Sequence, residues 1–281
     1  MTHIGTPLGE YAQAAQGTRG FEVRWAGATD TGLRRAHNED SLVTVPPVFA
    51  IADGMGGHAH GDVASKAVVE RLAALEGKTL VEPIEIVEAL RNATADITSI
   101  GEEGDSGTGT TVTGAAFAEH EGEPYFAVFN VGDSRTYAML GDRLTRITVD
   151  HSVVQELVDA GLLSEDEAET HPDSNVVTRA IGFNVDPVPD YFLLPVMPEL
   201  RIVMCSDGLT KEVRDSDIER LLIENPDTAK AADALVDAAL DAGGRDNVTV
   251  VVLDVVKAPE VDDVDRTVPR TTLRNEPSNE A

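Results

Sequence analysis

The sequence predicts an α+β domain, in which helices cover the faces of β-sheets. Short apolar runs, typical of buried strands, alternate with longer stretches in which apolar residues recur every three or four positions. The strands outnumber the clean β–α–β units, which favours this class over a parallel, doubly wound sheet. With 281 residues, of which 42% are hydrophobic, the chain can build a substantial core.

Four segments are predicted to be strands because they are compact, apolar and rich in β-branched or aromatic residues. They are Val48–Ala52, Tyr125–Val131, Arg201–Cys205 and Val248–Val255. Cys205 is the only cysteine of the chain, so an intrachain disulfide and a cysteine-based metal cluster are both excluded. We expect a buried thiol in a reducing compartment.

Four other segments have the apolar periodicity of helices. They are Val63–Leu75, Ile84–Ile97, Val153–Leu162 and Thr228–Leu240. Asp227 stands where the last of these needs an N-cap, and Gly243 lies beyond its end.

The two ends of the chain lack a hydrophobic face. Residues 1–20 are rich in Gly, Ala, Gln and Thr, and residues 258–281 carry Pro, Thr and many charged side chains. We expect two flexible tails, the second acidic, around a domain spanning residues 21–257. We see neither a signal peptide nor the ~20 apolar residues that span a bilayer, so we expect a cytoplasmic protein.

The charge balance is strongly acidic. Lys and Arg number 22 against 50 Asp and Glu, which gives a net charge of 22 − 50 = −28. Such a surface repels nucleic acids and anionic lipids, so we expect neither as a partner. Solubility alone can explain the excess, but some of these carboxylates can also be ligands.

Four aspartates stand at the ends of the predicted strands. Asp53, Asp133 and Asp207 follow the first three strands, and Asp246 precedes the fourth. If neighbouring strands run antiparallel, the end of one lies beside the start of the next. The four carboxylates would then share one rim. Each aspartate taken singly is equally well explained as an ordinary turn or cap residue.

Carboxylates that share a rim repel one another unless a cation lies among them. Oxygen ligands without a His or Cys cluster favour Mg²⁺ or Mn²⁺, leave Ca²⁺ possible and disfavour Zn²⁺. Two such ions ~3.5–4 Å apart can activate a water molecule and clamp a phosphoryl group. Gly54, next to Asp53, leaves its backbone carbonyl free to approach an ion.

Six motifs occur in order along the chain between about residues 24 and 256. They are Arg35-Ala-His-Asn-Glu-Asp40, Ala52-Asp-Gly-Met-Gly-Gly57, Gly107-Thr-Gly-Thr-Thr111, Asn130-Val-Gly-Asp-Ser-Arg135, Ser206-Asp-Gly208 and Arg245-Asp-Asn247. This series resembles the motifs of the PPM, or 2C-type, metal-dependent Ser/Thr protein phosphatases, particularly their bacterial branch. The resemblance implies a central antiparallel β-sandwich flanked by helices, in four layers (α-β-β-α), with a metal centre at one end.

The resemblance also implies roles for individual residues. Asp53 would bridge two divalent cations, Mn²⁺ or Mg²⁺, and the Gly54 carbonyl would bind one of them. Asp207 and Asp246 would complete the ligand shells. A third ion would have Asp133 as its ligand. Lys211 makes this third site doubtful, because many family members have Asp or Asn four residues after the Ser-Asp-Gly aspartate.

Three further residues are implied to take part in the chemistry. Glu39 and Asp40 would act beside the ions, Glu39 through a water molecule on a metal. Arg35 would hold the substrate phosphate, because a guanidinium pairs bidentately with phosphoryl oxygens. The alternative for Arg35 is a solvent-exposed arginine.

The activity implied is hydrolysis of phosphoserine and phosphothreonine by a water activated by two cations, which would reverse Ser/Thr kinase signalling in a bacterium. Its partners would be phosphorylated proteins, including kinases and their substrates, and the protein would be a monomer. Residues 150–182 look like the family's flap, which shapes substrate choice, or else form a plain helical connection. Two alternatives stay open: a catalytically silent relative that binds phosphoproteins, and another two-metal phosphohydrolase such as a phosphodiesterase.

Overall fold

Two β-sheets packed face to face form the centre of the computed structural model, which describes residues 1–13, 20–56, 60–100, 108–183 and 185–258. The described residues contain strands β1 Thr2–Gly5, β2 Leu8–Gln13, β3 Phe21–Asp30, β4 Ser41–Val45, β5 Val48–Ala52, β6 Gly54–Met55, β7 Gly109–Thr110, β8 Val112–His120, β9 Glu123–Val131, β10 Arg135–Leu140, β11 Arg143–Arg146, β12 Ile181–Gly182, β13 Asp190–Pro195, β14 Arg201–Cys205 and β15 Val248–Lys257. The helices are α1 Gly61–Ala73, α2 Pro83–Ile100, α3 Val153–Asp159, α4 Glu165–Glu169, α5 Asp207–Thr210, α6 Asp215–Glu224 and α7 Thr228–Ala242.

Each of the two large sheets has six strands. The first sheet has the order β1-β4-β5-β8-β9-β13, and the second has the order β11-β10-β14-β15-β3-β2. The pairings are antiparallel except for β1 with β4, which is parallel. A small third sheet, β12-β7-β6, extends from the end of the first.

Three hydrophobic cores separate four layers. The core between the two sheets is rich in aromatic rings, including the edge-to-face pair Phe21 and Phe117, whose centroids are 5.0 Å apart. A second core lies between the first sheet and helices α1 and α2, and a third between the second sheet and helices α6 and α7. The expected α-β-β-α arrangement is therefore confirmed.

The central strands read as continuous apolar runs because both of their faces are covered. Every residue of β5 and of β14 is buried, so neither strand needs the polar alternation of a solvent-facing sheet. Cys205, at the end of β14, is fully buried, as expected. All four predicted strands are present.

The four predicted helices are also present, with small differences at their ends. Asp227 caps α7 by accepting a hydrogen bond from the Lys230 amide, and Gly243 follows the helix at φ +143°. Helix α3 ends at Asp159, three residues before the predicted end, and Gly161 then takes φ +69°. Glycine adopts this left-handed conformation readily, whereas other residues rarely do.

The expected flexible tail over residues 1–20 is wrong for residues 2–13. Residues Thr2–Gly5 pair with β4 and residues Leu8–Gln13 pair with β3, so the first 13 residues join the edges of both sheets. Strands this short carry too few alternations to be visible in sequence. Residues 14–19 and the expected C-terminal tail from residue 259 lie outside the described residues. No helix in the described part of the chain is long and apolar enough to cross a membrane.

Candidate metal centre

Five aspartates gather at one end of the sandwich. We call them the acidic rim: Asp40, Asp53, Asp133, Asp207 and Asp246. Asp40 directly precedes β4 and Asp53 directly follows β5, and the antiparallel pair Ser41 and Ala52 places them side by side. The other three lie at the ends of β9 and β14 and before the start of β15. The structure thus brings together all four aspartates that the strand pattern singled out, with Asp40 as a fifth.

The rim carboxylates are close enough to oppose each other's ionisation. Burial, and then the four other rim carboxylates, raise the pKa of Asp53 well above its usual range. Burial and Asp207 raise the pKa of Asp133 to about 7, although the nearby Lys211 ammonium works in the opposite direction. Such shifts are expected where carboxylates are crowded in a place of low dielectric.

Asp40 is fully buried between the two sheets. Its Oδ2 atom accepts hydrogen bonds from the hydroxyls of Thr249, at 2.6 Å, and Ser206, at 2.9 Å. Burial raises the pKa of Asp40 to about 7, although these two hydrogen bonds act to lower it. The Oδ1 atom has no hydrogen-bond partner in the part of the chain that the structure describes.

Two basic side chains balance the rim on the side of the second sheet. Lys211 donates from Nζ to Asp207 Oδ2, and Arg35 donates from Nη2 to Asp246 Oδ2 at 2.6 Å. Burial alone would lower the pKa of Lys211, but the carboxylates of Asp207 and Asp133 raise it above its ordinary value. The hydrogen bond to Asp246 is the main cause that raises the pKa of Arg35.

The donor set fits hard divalent cations. Buried carboxylate oxygens normally have partners, yet Asp40 Oδ1 and Asp207 Oδ1 have none among the described atoms. A cation that accepts electron pairs from both would satisfy them and relieve the repulsion around Asp53. In the described ranges no three His, Cys, Asp or Glu side chains already form a coordination shell. Asp207 and Asp246 would therefore reorient, because a basic side chain now holds each of them.

Position 54 requires glycine for a steric reason, in addition to the expected access of its carbonyl to an ion. A side chain there would collide with the backbone carbonyls of Gly61 and Glu39. Gly54 thus lets the loop before β4 and the start of α1 approach β6. Glu39 lies in this contact, and burial, followed by the charge of Asp62, raises its pKa. Glu39 and Gly54 therefore lie beside the rim.

Asn247 belongs to the motif Arg245-Asp-Asn247, but the sequence does not indicate its role. Its Oδ1 accepts from the Glu39 amide at 2.8 Å, and its Nδ2 donates to the carbonyls of Thr31 and His37. It therefore fixes the loop that carries Arg35 to the start of β15. The sequence feature that could have identified Asn247 is its position directly after Asp246.

Two hydroxyl residues at the rim were missed altogether as functional candidates. The Ser206 and Thr249 hydroxyls orient Asp40, and they also link β14 to β15 through the bond from the Thr249 amide to Ser206 Oγ. Ser and Thr are too common in sequence for either to stand out. They are revealed only by the packing of the first sheet, where Asp40 precedes β4, against β14 and β15 of the second sheet.

The comparisons with known proteins point to one family. The sequence profile described as Protein phosphatase 2C matches residues 35–242. The serine/threonine protein phosphatase PstP of Mycobacterium tuberculosis is 38% identical over 239 residues, which cover 83% of this chain and 45% of PstP. The serine/threonine phosphatase stp of Listeria monocytogenes is 34% identical, covering 80% of this chain and 93% of that protein.

Solved structures agree. A crystal structure of the M. tuberculosis phosphatase PstP has a TM-score of 0.75 at 38% identity, covering 83% of this chain and 98% of the other. A second one, of the PstP catalytic domain in complex with two manganese ions, has a TM-score of 0.74. MsPP from Mycobacterium smegmatis, described as a PPM Ser-Thr phosphatase, has a TM-score of 0.73 at 35% identity. The chain thus spans less than half of full-length PstP but nearly all of its catalytic domain.

Proposed function

The chain belongs to the protein phosphatase 2C family, and from this we propose that it is a metal-dependent phosphatase that hydrolyses phosphoserine and phosphothreonine in proteins. The observation that carries the proposal is the acidic rim, where two buried carboxylate oxygens lack partners among the described atoms and burial and crowding raise the pKa of Asp53. A related catalytic domain with 38% sequence identity binds two manganese ions.

We propose that Asp53, Asp207, Asp246 and the carbonyl of Gly54 would hold the two cations, and that Asp53 would be a ligand of both. When bound, a pair of divalent ions lowers the pKa of a water molecule and neutralises charge on a phosphoryl group. Asp53 is suited to this role because the charges of all the other rim carboxylates act on it and raise its pKa. Its backbone is held by hydrogen bonds from the Thr111 amide, at 2.9 Å, and the Thr110 hydroxyl, at 2.8 Å, to its carbonyl.

Arg35 is proposed to bind the phosphoryl group of the substrate. Its side chain is about half exposed, and its Nη2 atom is bonded to Asp246 on the rim. If Asp246 served as a ligand of a cation, the guanidinium would lose this partner and could pair with two phosphoryl oxygens. The same rearrangement would thus complete the metal shell and free the substrate anchor.

Glu39 and Asp40 are proposed to orient the attacking water. Asp40 is the more rigid of the two, because Ser206 and Thr249 hold its Oδ2 atom. Its Oδ1 atom has no partner among the described atoms and is the one available to a cation or to the water molecule. Glu39 lies at the outer edge of the rim and is only partly buried.

A third cation beside Asp133 is disfavoured by Lys211. The Lys211 ammonium pairs with Asp207 rather than with Asp133. The reason is local, because Asp207 begins α5 and a residue four positions later lies on the same side of the helix. Lys211 still lies in the field of Asp133, so its charge opposes a divalent ion there.

We propose that its partners are phosphorylated proteins, in particular Ser/Thr kinases and their substrates. We further propose that the protein is a monomer and acts in the cytoplasm. The buried thiol of Cys205 is compatible with a reducing compartment. We also retain the flap role for residues 150–182, where α3 and α4 lie and where Ser152 pairs with Val177.

Hydrolysis of a phosphothreonine peptide by the full chain tests this function. We expect turnover with Mn²⁺, slower or equal turnover with Mg²⁺, and none with a chelator. Binding of the phosphopeptide without turnover would indicate a silent relative. Turnover of a phosphodiester but not of the phosphopeptide would indicate another two-metal phosphohydrolase.

A further inference from the structure

Residues 2–13, which we call the N-terminal strap, lie outside the segment that the family profile matches, residues 35–242. The strap runs from the edge of the first sheet, where β1 pairs with β4, to the edge of the second, where β2 pairs with β3. Between the two strands, the carbonyl of Thr6 accepts hydrogen bonds from Trp25 Nε1 at 3.0 Å and from the Thr44 hydroxyl at 2.7 Å. The strap thus ties the two sheets together along one side.

The first strand of the strap lies beside the strand that begins at the acidic rim. β4 starts at Ser41, directly after Asp40, and pairs on its inner side with β5, which ends next to Asp53. On its outer side Ser41 is paired with Thr2, so that Thr2, Ser41 and Ala52 form one row across three strands. Without β1, β4 would be an edge strand with a row of unpaired backbone groups.

A short chain of hydrogen bonds continues from the strap to Glu39. The Thr2 amide lies 3.1 Å from Ser41 Oγ, which lies 2.9 Å from Ser65 Oγ, and Ser65 Oγ lies 2.5 Å from the Glu39 carbonyl. Its direction is set by its ends, since an amide can only donate and a carbonyl can only accept. The Ser41 hydroxyl therefore donates to Ser65, and the Ser65 hydroxyl to Glu39.

Both hydroxyls in this chain are fully buried. Buried hydrogen bonds that run in one direction strengthen one another, and breaking one link weakens the rest. The strap is thus connected to the backbone of Glu39 and to Ser41, the residue after Asp40.

We propose that the N-terminal strap positions Glu39 and Asp40 for divalent cation binding, an inference that rests on the proposed function of the rim. Residues that orient metal ligands from outside the shell commonly contribute a factor of about 10–100 to metal affinity. We expect an effect in this range when the strap is detached from β4.

The strap also packs against the cores, so a test must separate positioning from stability. Ile4 contacts the core below the first sheet, and the ring centroid of Tyr11 lies 5.5 Å from that of Phe117. Loss of these contacts would lower the melting temperature whether or not the strap affects the rim. Metal affinity, measured well below the melting temperature, is the readout that a purely structural role would not change.

Gly5→Ala is the variant that detaches β1. Gly5 has φ +100°, and a side chain there would collide with the Thr44 carbonyl. Gly122→Ala is the matched control, because Gly122 has φ +81° in the hairpin between β8 and β9 with no atom within 4 Å of the added carbon. Both variants carry backbone strain, but only the first disturbs the contact between β1 and β4. Ser41→Ala breaks the hydrogen-bond chain while leaving β1 in place.

The measurements are Mn²⁺ titration by calorimetry and amide hydrogen exchange on the full chain. We expect Gly5→Ala and Ser41→Ala to bind Mn²⁺ about 10–100-fold more weakly than Gly122→Ala. In Gly5→Ala the β4 amides should also exchange faster. If Gly5→Ala does not fold, Ser41→Ala alone decides.

Equal Mn²⁺ affinity in all three variants, with only the melting temperature lowered, would overturn the inference and leave the strap a structural element. Failure of the unaltered protein to bind Mn²⁺ would instead contradict the proposed function. The two failures are therefore distinguishable in one experiment.

Discussion

The two sheets bring acidic side chains to the same rim but hold them in different ways. On the side of the first sheet, Asp53 forms no ion pair with a basic side chain of the described residues, and Asp40 is held by two hydroxyls. On the side of the second sheet, Asp207 and Asp246 are each bonded to a basic side chain. The carboxylate of Asp53 is thus repelled by its neighbours without direct compensation. The negative charges of Asp207 and Asp246 are instead balanced by Lys211 and Arg35, which a cation can replace.

This difference has a physical consequence for cation binding. An ion that enters the rim gains most from the uncompensated carboxylates and must compete with Lys211 and Arg35 for the others. Neutralising a carboxylate should therefore have opposite effects on the stability of the metal-free protein on the two sides, although both changes should prevent catalysis.

The largest expected effect is that of Asp53→Asn. We expect loss of turnover and of the increase in melting temperature on adding Mn²⁺, because the variant lacks the carboxylate proposed to hold both cations. In chelator the variant should be at least as stable as the parent, since the amide removes a charge whose pKa burial and the other rim carboxylates raise. Thermal melts with and without Mn²⁺ check both statements.

Asp142→Asn, at an exposed position in the turn after β10, is the control for loss of a negative charge. It should behave as the parent in both assays. Substantial turnover by Asp53→Asn at saturating Mn²⁺ would contradict the two-metal assignment.

Asp207→Asn tests the side of the rim that belongs to the second sheet. Turnover should again be lost, but in chelator this variant should melt lower than the parent, because the partly buried Lys211 ammonium loses its charged partner. A loss of ~1 kcal/mol corresponds to about 2–4 °C for a domain of this size. If Asp207→Asn and Asp53→Asn shift the melting temperature of the metal-free protein in the same direction, the two sides do not differ as we infer.

A smaller effect is expected for Arg35→Ala. Removal of a charge-assisted contact to phosphate, worth ~1.5–3 kcal/mol, should lower kcat/KM on a phosphopeptide by about 10–100-fold. Mn²⁺ affinity should be kept or improved, since Asp246 loses a competing partner. Arg34→Ala, the neighbouring exposed arginine, is the control. Unchanged kcat/KM would remove Arg35 from the site.

Lys211→Asp should have a conditional effect. The ammonium opposes a divalent ion by ~4 kcal/mol at 4 Å if the effective dielectric constant is about 20. Its replacement by a carboxylate should create a low-affinity metal requirement, with activity still rising at Mn²⁺ concentrations that saturate the parent. Superimposable Mn²⁺ titrations would show that Lys211 does not control a third site.

The smallest effect is expected at the C-terminus. A chain that ends at Ala258 should keep its specific activity, because β15 ends at Lys257 and all the proposed site residues precede it. Removal of residues 2–13 is a different matter, since the structure pairs them with both sheets. Phosphopeptide assays of the two truncated chains, compared with the parent, separate these expectations.

Much of the fold was predictable because its central strands and long helices carry strong local patterns. β5 and β14 are buried on both faces and read as unbroken apolar runs, while α7 has a capping aspartate and a terminal glycine. The strap was missed because its strands are short and depend on pairing partners far away in sequence. Thr2 and Ser41 are 39 positions apart.

The amino-acid sequence alone indicates which kinds of ligand and cation the site can use. The aspartates at strand ends, the absence of a cysteine cluster and the ordered motifs limit the site to carboxylate ligands and hard cations. Only the packing of distant segments sets which basic group balances which carboxylate, which oxygens lack a partner among the described residues, and which hydroxyls hold Asp40. These depend on side-chain distances of about 3 Å between segments that are distant in sequence, and such distances are set only when the two sheets pack.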